Sequence, residues 1–229
     1  MEEIAERREG TPGTVTSFDA CTPYLHFVTS TVTRPSKKLK VVVDAGNGVG
    51  GIVSVPMLQK LGYDVVPLYC EPDGRFPNHH ADPTVAKNLE LLIAAVKKEK
   101  ADLGVAYDGD ADRIGVVDEH GEIIWGDKLM ILLSRAVLKA VPGAPIVGEV
   151  KCSQTLFSDI AARGGRPIMS AVGHSIIKDR MKDEGAMLAG EMSGHIFYRD
   201  RWYGFDDAIY VTGRLLEILS RADRPLSAL

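Results

Sequence analysis

The feature that most constrains the fold is the alternation of apolar, strand-like runs with helix-like segments from Lys40 onward. The run LKVVVDAGNG is typical of a strand buried on both faces, and we assign DAGNGVGG a structural role as a tight turn. A helix-like stretch closing on Gly62 and a second strand, YDVVPLY, follow. Such units make parallel sheets with right-handed crossovers. We therefore expect an α/β fold of two successive three-layer α/β/α domains with mixed, largely parallel sheets.

The expected elements divide the chain into an arm and two domains. Residues 1 to about 35 are rich in Thr, Pro and charge and show no sustained period, and we assign residues 1–24 to an arm or linker. The first domain is expected at residues 25–122 and includes a hairpin that turns at His120-Gly121. The second is expected at residues 123–229. Its last short strands, like the hairpin, imply antiparallel pairing at one edge of the sheet.

Composition excludes several classes of function. A net charge of −4 and a pI near 5.9 give no basic face for a nucleic-acid partner. Cys21, Cys70 and Cys152 are odd in number and widely spaced, which argues against a disulfide framework and a zinc site. The N-terminus is charged where a signal peptide needs an apolar core, and no run of about 18 apolar residues occurs. We expect a cytoplasmic protein without a membrane partner.

The segment YDGDADR is the first candidate site, because it places three carboxylates at alternate positions between two strand-like runs. A tight loop can aim Asp108, Asp110 and Asp112 at one point. Clustered anions repel one another unless a cation lies among them, and hard oxygen ligands suit Mg²⁺ or Ca²⁺ better than zinc. Mg²⁺ with room for a phosphate oxygen is our interpretation. The adjacent Arg113 offers a fixed positive charge for a phosphate or carboxylate.

Three other interpretations of this loop stay open. Asp and Gly are common in solvated turns for backbone reasons alone. An EF-hand nearly fits, with Glu119 at its last ligand position, but Arg113 stands where the sharp turn needs glycine and the flanks are strand-like. A metal-dependent phosphatase would use Asp108 as nucleophile and Asp110 as acid, and would leave the second motif unexplained.

That second motif is AGEMSGHIFY, in which Glu191, Ser193 and His195 again alternate. A carboxylate, a hydroxyl and an imidazole on one face can bind sugar hydroxyls, and His can exchange a proton near neutral pH. A polar turn with a hydrogen-bonded His fits the pattern equally well. The glycine spacing and the absence of a following helix exclude a dinucleotide fingerprint.

Two weaker candidates lie between these motifs. In VGHSIIKDRMK, Gly173 and His174 stand at the start of a predicted helix, where free N–H groups favour an anion. An ordinary helix start explains them equally well. Lys151 follows the strand PIVGEV, where open α/β sheets place ligand contacts, although a lone lysine is usually only solvated.

Four segments in this order resemble the phosphomannomutase/phosphoglucomutase group of the α-D-phosphohexomutases: DGDADR, VGHSIIK, GEMSGH about 80 residues after the first, and RWYGFDDAIY. The resemblance covers about residues 21 to 229. It implies that Mg²⁺ is bound by Asp108, Asp110 and Asp112, and sugar hydroxyls by Glu191 and Ser193. It also implies that the catalytic cleft is lined by Arg113, Lys151, His174 and His195, with His195 or His174 as proton carrier.

The resemblance further implies a reaction and missing parts. Family members interconvert hexose 1-phosphate and hexose 6-phosphate through a phosphoserine and a bisphosphate intermediate, and they have four domains, of which this sequence matches the second and third. We find no segment like the T-A-S-H-N-P of the first domain, and the chain stops at Leu229 before the phosphate-binding loop of the fourth. We expect this chain alone to be inactive. The alternative function is a noncatalytic fragment that binds Mg²⁺ or a sugar phosphate.

Overall fold

The computed structural model describes residues 13–229, so residues 1–12 of the predicted arm lie outside the described residues. In chain order, the first half contains α1 (Cys21–Thr31), β1 (Lys40–Asp44), α2 (Gly50–Leu61), β2 (Asp64–Leu68), α3 (Glu90–Glu99), β3 (Leu103–Tyr107), β4 (Ile114–Asp118) and β5 (Ile123–Ile124). The second half contains α4 (Gly126–Ala140), β6 (Pro145–Glu149), α5 (Gln154–Ala162), β7 (Arg166–Ser170), α6 (His174–Asp183), β8 (Leu188–Gly190), β9 (Ile196–Tyr198) and α7 (Ala208–Arg221). The strands and helices predicted from Lys40 onward are present.

The first sheet has the strand order β2-β1-β3-β4-β5. β2, β1 and β3 are parallel, whereas β4 and β5 run antiparallel to their neighbours. Alternate residues of a strand point to opposite faces. Val41 and Val43 of β1 therefore pack in the core that includes α2, and Val42 packs in a separate cluster with Leu92 and Val96 of α3. Helices cover both faces of this sheet.

The second sheet repeats this arrangement with the order β7-β6-β8-β9, in which only β9 is antiparallel. Val147 of β6 packs with Ile177 and Met181 of α6 on one face. Ile146 packs with Leu156 of α5 on the other. The predicted fold class, two three-layer α/β/α domains with mixed, largely parallel sheets, is confirmed.

Helix α7 connects the two domains, because one hydrophobic cluster runs from α1 and β1 through α7 to β8. The hydroxyl of Tyr107, at the end of β3, lies 2.8 Å from Oγ1 of Thr212 on α7, and both residues are buried. At the start of α7, Asp207 accepts hydrogen bonds from the Tyr24 hydroxyl at 2.9 Å and from the Tyr210 backbone N–H at 2.8 Å. These buried hydrogen bonds fix the orientation of α7 relative to β3 and α1, which apolar packing alone does not specify.

The segment without a sustained period, part of which we assigned to an arm or linker, contains the helix α1. α1 begins at Cys21, where Asp19 Oδ1 accepts two backbone N–H groups, and α1 packs on α2 and against Trp202. The threonine-rich sequence has low helix propensity, so the stability of α1 comes from tertiary packing and does not show in the sequence pattern. β5 pairs with β4, so the first sheet extends to Ile124, beyond the boundary expected at residue 122. Within residues 13–229, no helix is long and apolar enough to cross a membrane.

Candidate functional site

The two candidate loops occupy equivalent positions in the two sheets. The acidic loop, residues 108–113, joins β3 to β4, and the second loop, residues 191–195, joins β8 to β9. Each loop therefore lies at the carboxyl end of a parallel strand, where open α/β sheets bind ligands. The loops also contact each other: the Ile114 N–H donates to the Gly194 carbonyl at 3.1 Å, and Arg113 forms an antiparallel bridge with His195.

The acidic loop brings its three aspartates together as predicted. One carboxylate oxygen from each of Asp108, Asp110 and Asp112 lies within 4.8 Å of the others. Asp108 is buried, and its Oδ1 accepts the backbone N–H groups of Asp112 and Arg113, each at 3.1 Å. Ala111 adopts a left-handed φ of 64°, a conformation that costs a non-glycine residue free energy and turns the loop back on itself.

The surroundings of Asp112 oppose its ionisation. Burial raises its pKa to about 6, and the neighbouring Asp108 adds to the shift. A carboxylate whose ionisation is disfavoured by other carboxylates gains most from a bound cation. Three oxygen donors at this separation fit a hard divalent ion such as Mg²⁺, and they fit thiolate-preferring metals poorly.

Arg113 is held by two carboxylates. Its Nε donates to Asp108 Oδ2 at 2.7 Å, and one terminal nitrogen donates to Asp82 Oδ1 at 3.2 Å. The Arg113 side chain is only 26% exposed. The sequence predicted a positive charge for a phosphate or a carboxylate, and in the structure Arg113 binds two carboxylates, joining the acidic loop to Asp82. Its remaining donors are those that a ligand can reach.

The second loop is organised around the buried carboxylate of Glu191. Oε1 accepts the Gly173 backbone N–H at 3.0 Å, and Oε2 accepts the Ser193 hydroxyl at 2.9 Å. Three residues predicted to bind substrate, from two separate segments, are thus brought together. The neighbouring Met192 N–H donates to Glu149 Oε1 at 2.8 Å, which anchors the loop to the end of β6. Each oxygen of Glu191 keeps one lone pair for a further donor.

His195 faces two aspartates. Its Nδ1 lies 3.1 Å from Asp206 Oδ2 and 3.6 Å from Asp112 Oδ1. Burial lowers the pKa of His195, but the carboxylates of Asp206 and Asp112 outweigh it and raise the pKa overall. The ring of His174 stacks on His195 with centroids 5.9 Å apart, and Lys178 Nζ lies 3.2 Å from Asp206 Oδ1. The two predicted histidines are therefore adjacent.

Sequence reasoning missed Asp206 and Lys178. The segment RWYGFDDAIY contributed to the family resemblance, but no role was assigned to its acids. Burial opposes the low pKa of Asp206, yet contacts with His195 and Lys178 bring it to about 2, so this carboxylate stays ionised. Lys178 stands one helical turn after His174 on α6, and that spacing is the sequence signal that both face the same loop.

Lys151 lies at the rim, 54% exposed, with Nζ 3.5 Å from Glu149 Oε1. Glu149 is fully buried and also holds the second loop through Met192. Lys151 is thus near the loop but is not in direct contact with Glu191 among the hydrogen bonds and ion pairs of the described residues. Its charge contributes to the field at the carboxyl end of β6.

A further loop, residues 69–85, supports the acidic loop and was not recognised from sequence as part of the site. His79 Nε2 lies 3.1 Å from Oδ2 of Asp44, a fully buried carboxylate at the end of β1. Asn78 donates to Asn47 at 2.8 Å, in the turn after β1. These contacts hold the loop so that Asp82 meets Arg113.

Models of two α/β/α domains match this chain. Phosphoglucomutase/phosphomannomutase domain II matches residues 22–121, and domain III of the same family matches residues 125–229. The chain belongs to the phosphoglucomutase/phosphomannomutase family. The resemblance carried by DGDADR and GEMSGH is thereby confirmed. The assignments of individual site residues stay predictions.

Curated relatives in this family include a phosphomannomutase/phosphoglucomutase of Pseudomonas aeruginosa, 55% identical over 82% of this chain and 41% of the relative. A phosphoglucomutase of Neisseria meningitidis is 46% identical over 95% of this chain and 47% of the relative. The chain therefore spans less than half the length of the curated relatives that it matches.

Solved structures agree with the fold. A phosphoglucomutase/phosphomannomutase family protein from Burkholderia thailandensis superposes with a TM-score of 0.89 at 44% identity, over 92% of this chain and 46% of that chain. A phosphomannomutase structure from Thermus thermophilus, at 22% identity, has a TM-score of 0.85 over 94% of this chain and 50% of that one. At that identity, the likeness supports the fold alone.

Proposed function

We propose that this chain supplies the metal-binding loop and the sugar-binding loop of a phosphohexomutase that interconverts hexose 1-phosphate and hexose 6-phosphate. The observation that carries the proposal is the direct contact between the loops, in which Asp112 lies 3.6 Å from His195. A metal-bound phosphoryl group and a sugar hydroxyl would then meet within a few ångströms. Reacting groups held at such distances need little further ordering to reach the transition state.

Mg²⁺ would be held by Asp108, Asp110 and Asp112, and when bound it would neutralise charge on the transferring phosphoryl group. A structure of an Aspergillus fumigatus N-acetylphosphoglucosamine mutase contains magnesium and GlcNAc-6P. In this chain, support comes from the carboxylates themselves, because burial and the neighbouring Asp108 oppose the ionisation of Asp112, which a bound cation would favour. Arg113 orients Asp108 by its hydrogen bond at 2.7 Å.

Glu191 and Ser193 would bind hydroxyls of the hexose. Glu191 is fixed by Gly173 on one oxygen and by Ser193 on the other, so both its position and its free lone pairs are set before a ligand arrives. Preorganised acceptors of this kind bind without paying for reorganisation. The same pair suits mannose, glucose and glucosamine phosphates, and Lys151 would add positive charge at the rim.

His195 would carry the proton between the sugar hydroxyl and solvent. The Asp206 carboxylate lies on its Nδ1 side at 3.1 Å and raises its pKa. A histidine that a carboxylate holds in position can accept and return a proton during one turnover. His174, 59% exposed beside it, would relay that proton to water.

The phosphoserine that donates the phosphoryl group would come from a part of the enzyme outside these residues. The segment T-A-S-H-N-P has no counterpart in the sequence. The partners of these residues would be the first and fourth domains of the family. We expect no turnover of glucose 1-phosphate or mannose 1-phosphate by this chain alone. Turnover would contradict that expectation.

The sugar-binding role can be tested by calorimetric titration of this chain with glucose 1-phosphate in the presence of Mg²⁺. Glu191→Gln should weaken binding at least about tenfold, because it replaces a charged acceptor. Glu90→Gln, at an exposed position on α3, is the matched control and should bind as the unaltered chain does. Equal affinity in Glu191→Gln and the unaltered chain would remove the second loop from the sugar site.

A further inference from the structure

A second cluster of metal-ligating side chains lies beside the acidic loop. It consists of Asp112, His195 and Asp206, one ligand atom of each lying within 4.8 Å of the others. Nδ1 of His195 is 3.1 Å from Asp206 Oδ2 and 3.6 Å from Asp112 Oδ1. At the rim, His174 Nδ1 lies 3.9 Å from the same oxygen of Asp206.

Two atoms of this cluster are buried and unsatisfied. Within residues 13–229, neither His195 Nδ1 nor Asp206 Oδ2 has a hydrogen-bond partner of acceptable geometry, although they are only 3.1 Å apart. The Asp206 side chain is 8% exposed, and Lys178 binds its other oxygen, so the nearest donor to Oδ2 is the poorly oriented Nδ1 of His195. A buried polar atom without a partner is destabilising, so this pair of atoms calls for a ligand.

We infer that Asp112, His195 and Asp206 form a site for a borderline transition-metal ion such as Zn²⁺, distinct from the oxygen-only set of the acidic loop. Imidazole nitrogen with carboxylate oxygen suits Zn²⁺, Co²⁺ and Ni²⁺ better than Mg²⁺. Bonds of about 2.0–2.1 Å in a tetrahedron place donor atoms about 3.3 Å apart. The observed separations of 3.1 and 3.6 Å bracket that value.

A fourth position remains for His174 or water. His174 is 59% exposed at the first residue of α6, so its ring can move by the short distance that metal ligation needs. Lys178 opposes binding electrostatically, because its ammonium lies on Asp206. Two ionised carboxylates and a neutral imidazole still leave the site with a net attraction for a divalent cation.

Asp112 belongs both to this site and to the acidic loop, so metal binding at one opposes metal binding at the other. An ion bound to Asp112 from the His195 side withdraws one of three carboxylates from the Mg²⁺ set. If the proposed function holds, on which this consequence rests, the same ion also blocks the proton carrier. The transition-metal ion then prevents Mg²⁺ from binding to the acidic loop, so Mg²⁺ and Zn²⁺ compete for Asp112.

The site can be tested with Co²⁺, whose d–d absorption strengthens sharply when the ion is four-coordinate with a nitrogen ligand. The full chain should bind one Co²⁺ with this absorption, and Zn²⁺ should displace it. His195→Gln and Asp206→Asn should each weaken Co²⁺ binding at least tenfold. Asp110→Asn, in the acidic loop only, should change it less than threefold, and His120→Gln, exposed on the β4-β5 hairpin, should not change it.

Two results would overturn the inference: Co²⁺ binding that His195→Gln and Asp206→Asn leave unaltered, or binding that Asp110→Asn removes as completely as they do. Thermal melts of each variant establish that a loss of binding is not a loss of fold. Mg²⁺ titration separates this proposal from the previous one. If His195→Gln still binds Mg²⁺ but no longer binds Co²⁺, both sites are supported. If neither the unaltered chain nor any variant binds Mg²⁺, the result counts against the proposed function alone.

Discussion

The backbone N–H of Ile114 donates to the carbonyl of Gly194 at 3.1 Å, so the acidic loop of one domain and the glycine-flanked loop of the other are parts of one hydrogen-bonded surface. Together with Ala208, whose N–H donates to the Ala111 carbonyl at 3.1 Å, this contact fixes the relative position of the loops. The geometry of the site therefore depends on backbone contacts between domains.

Gly194 is required by both its conformation and its surroundings. Its φ is 92°, and a Cβ built there would collide with the Ile114 carbonyl oxygen. We expect Gly194→Ala to lower the free energy of unfolding by about 2–4 kcal/mol, since strain and loop displacement add. Gly143→Ala, at a φ of 78° with open space around it, is the matched control and should cost about 1 kcal/mol. If chemical denaturation shows that both variants lose the same free energy of unfolding, the contact between Gly194 and Ile114 contributes nothing to stability.

The buried hydrogen bond between Tyr107 and Thr212 connects β3 to α7 at 2.8 Å. Thr212→Val keeps the shape but leaves the Tyr107 hydroxyl without its acceptor, so we expect a loss of about 1–3 kcal/mol. Tyr107→Phe in the Thr212→Val background removes the orphaned hydroxyl and should recover part of that loss. Urea denaturation of the two single variants and the double variant measures the coupling. Additive effects would contradict a direct bond between the two side chains.

Asp82 shares the Arg113 guanidinium with Asp108. Replacing Asp82 by Asn leaves that positive charge to Asp108 alone, where it competes with a bound cation. We expect Mg²⁺ affinity measured by calorimetry to fall about 3–10-fold, or about 0.7–1.4 kcal/mol. Asp64→Asn, exposed on β2, controls for the change in net charge. An unchanged affinity would mean that Arg113 does not influence the metal ligands.

His79 makes stability depend on pH. The hydrogen bond to Asp44 raises the pKa of His79 above the ordinary histidine value of about 6.5 in the folded state, so the folded protein binds its proton more tightly than the unfolded chain. That stabilisation is fully present below pH 6.5 and is lost as the pH rises through the folded pKa. Thermal melts should show His79→Gln to be less stable than the unaltered chain at pH 6, by about 1–2 kcal/mol, and closer to it at pH 9. A difference that is independent of pH would exclude the charged pair.

Much of the fold could be predicted because strands such as β1 are buried on both faces and helices such as α2 end at a glycine, Gly62, with a φ of 103°. α1 could not be predicted from periodicity, because its Thr and Pro residues interrupt the apolar helical pattern. Its packing partner Trp202 is also distant in sequence. One local signal was present: Asp19 is a residue type favoured just before a helix, where its carboxylate can accept free backbone N–H groups.

The candidate site was predictable where one short motif supplies all its members. Asp108 and its two alternate neighbours are such a set, as are Glu191 and Ser193. Asp206 and Asp82 were not, because tertiary packing brings them to His195 and Arg113 from separate segments. Spacing along a chain reports shared faces within one element, and it carries no information on contacts between elements.

The central claim is that the acidic loop binds Mg²⁺ beside the sugar loop, and calorimetric titration of Mg²⁺ into this chain, with and without glucose 1-phosphate, tests it most directly. The account predicts binding that Asp110→Ala abolishes, that Asp223→Ala at an exposed position leaves intact, and that glucose 1-phosphate strengthens. Mg²⁺ binding of equal affinity in the Asp110→Ala variant and the unaltered chain would contradict it.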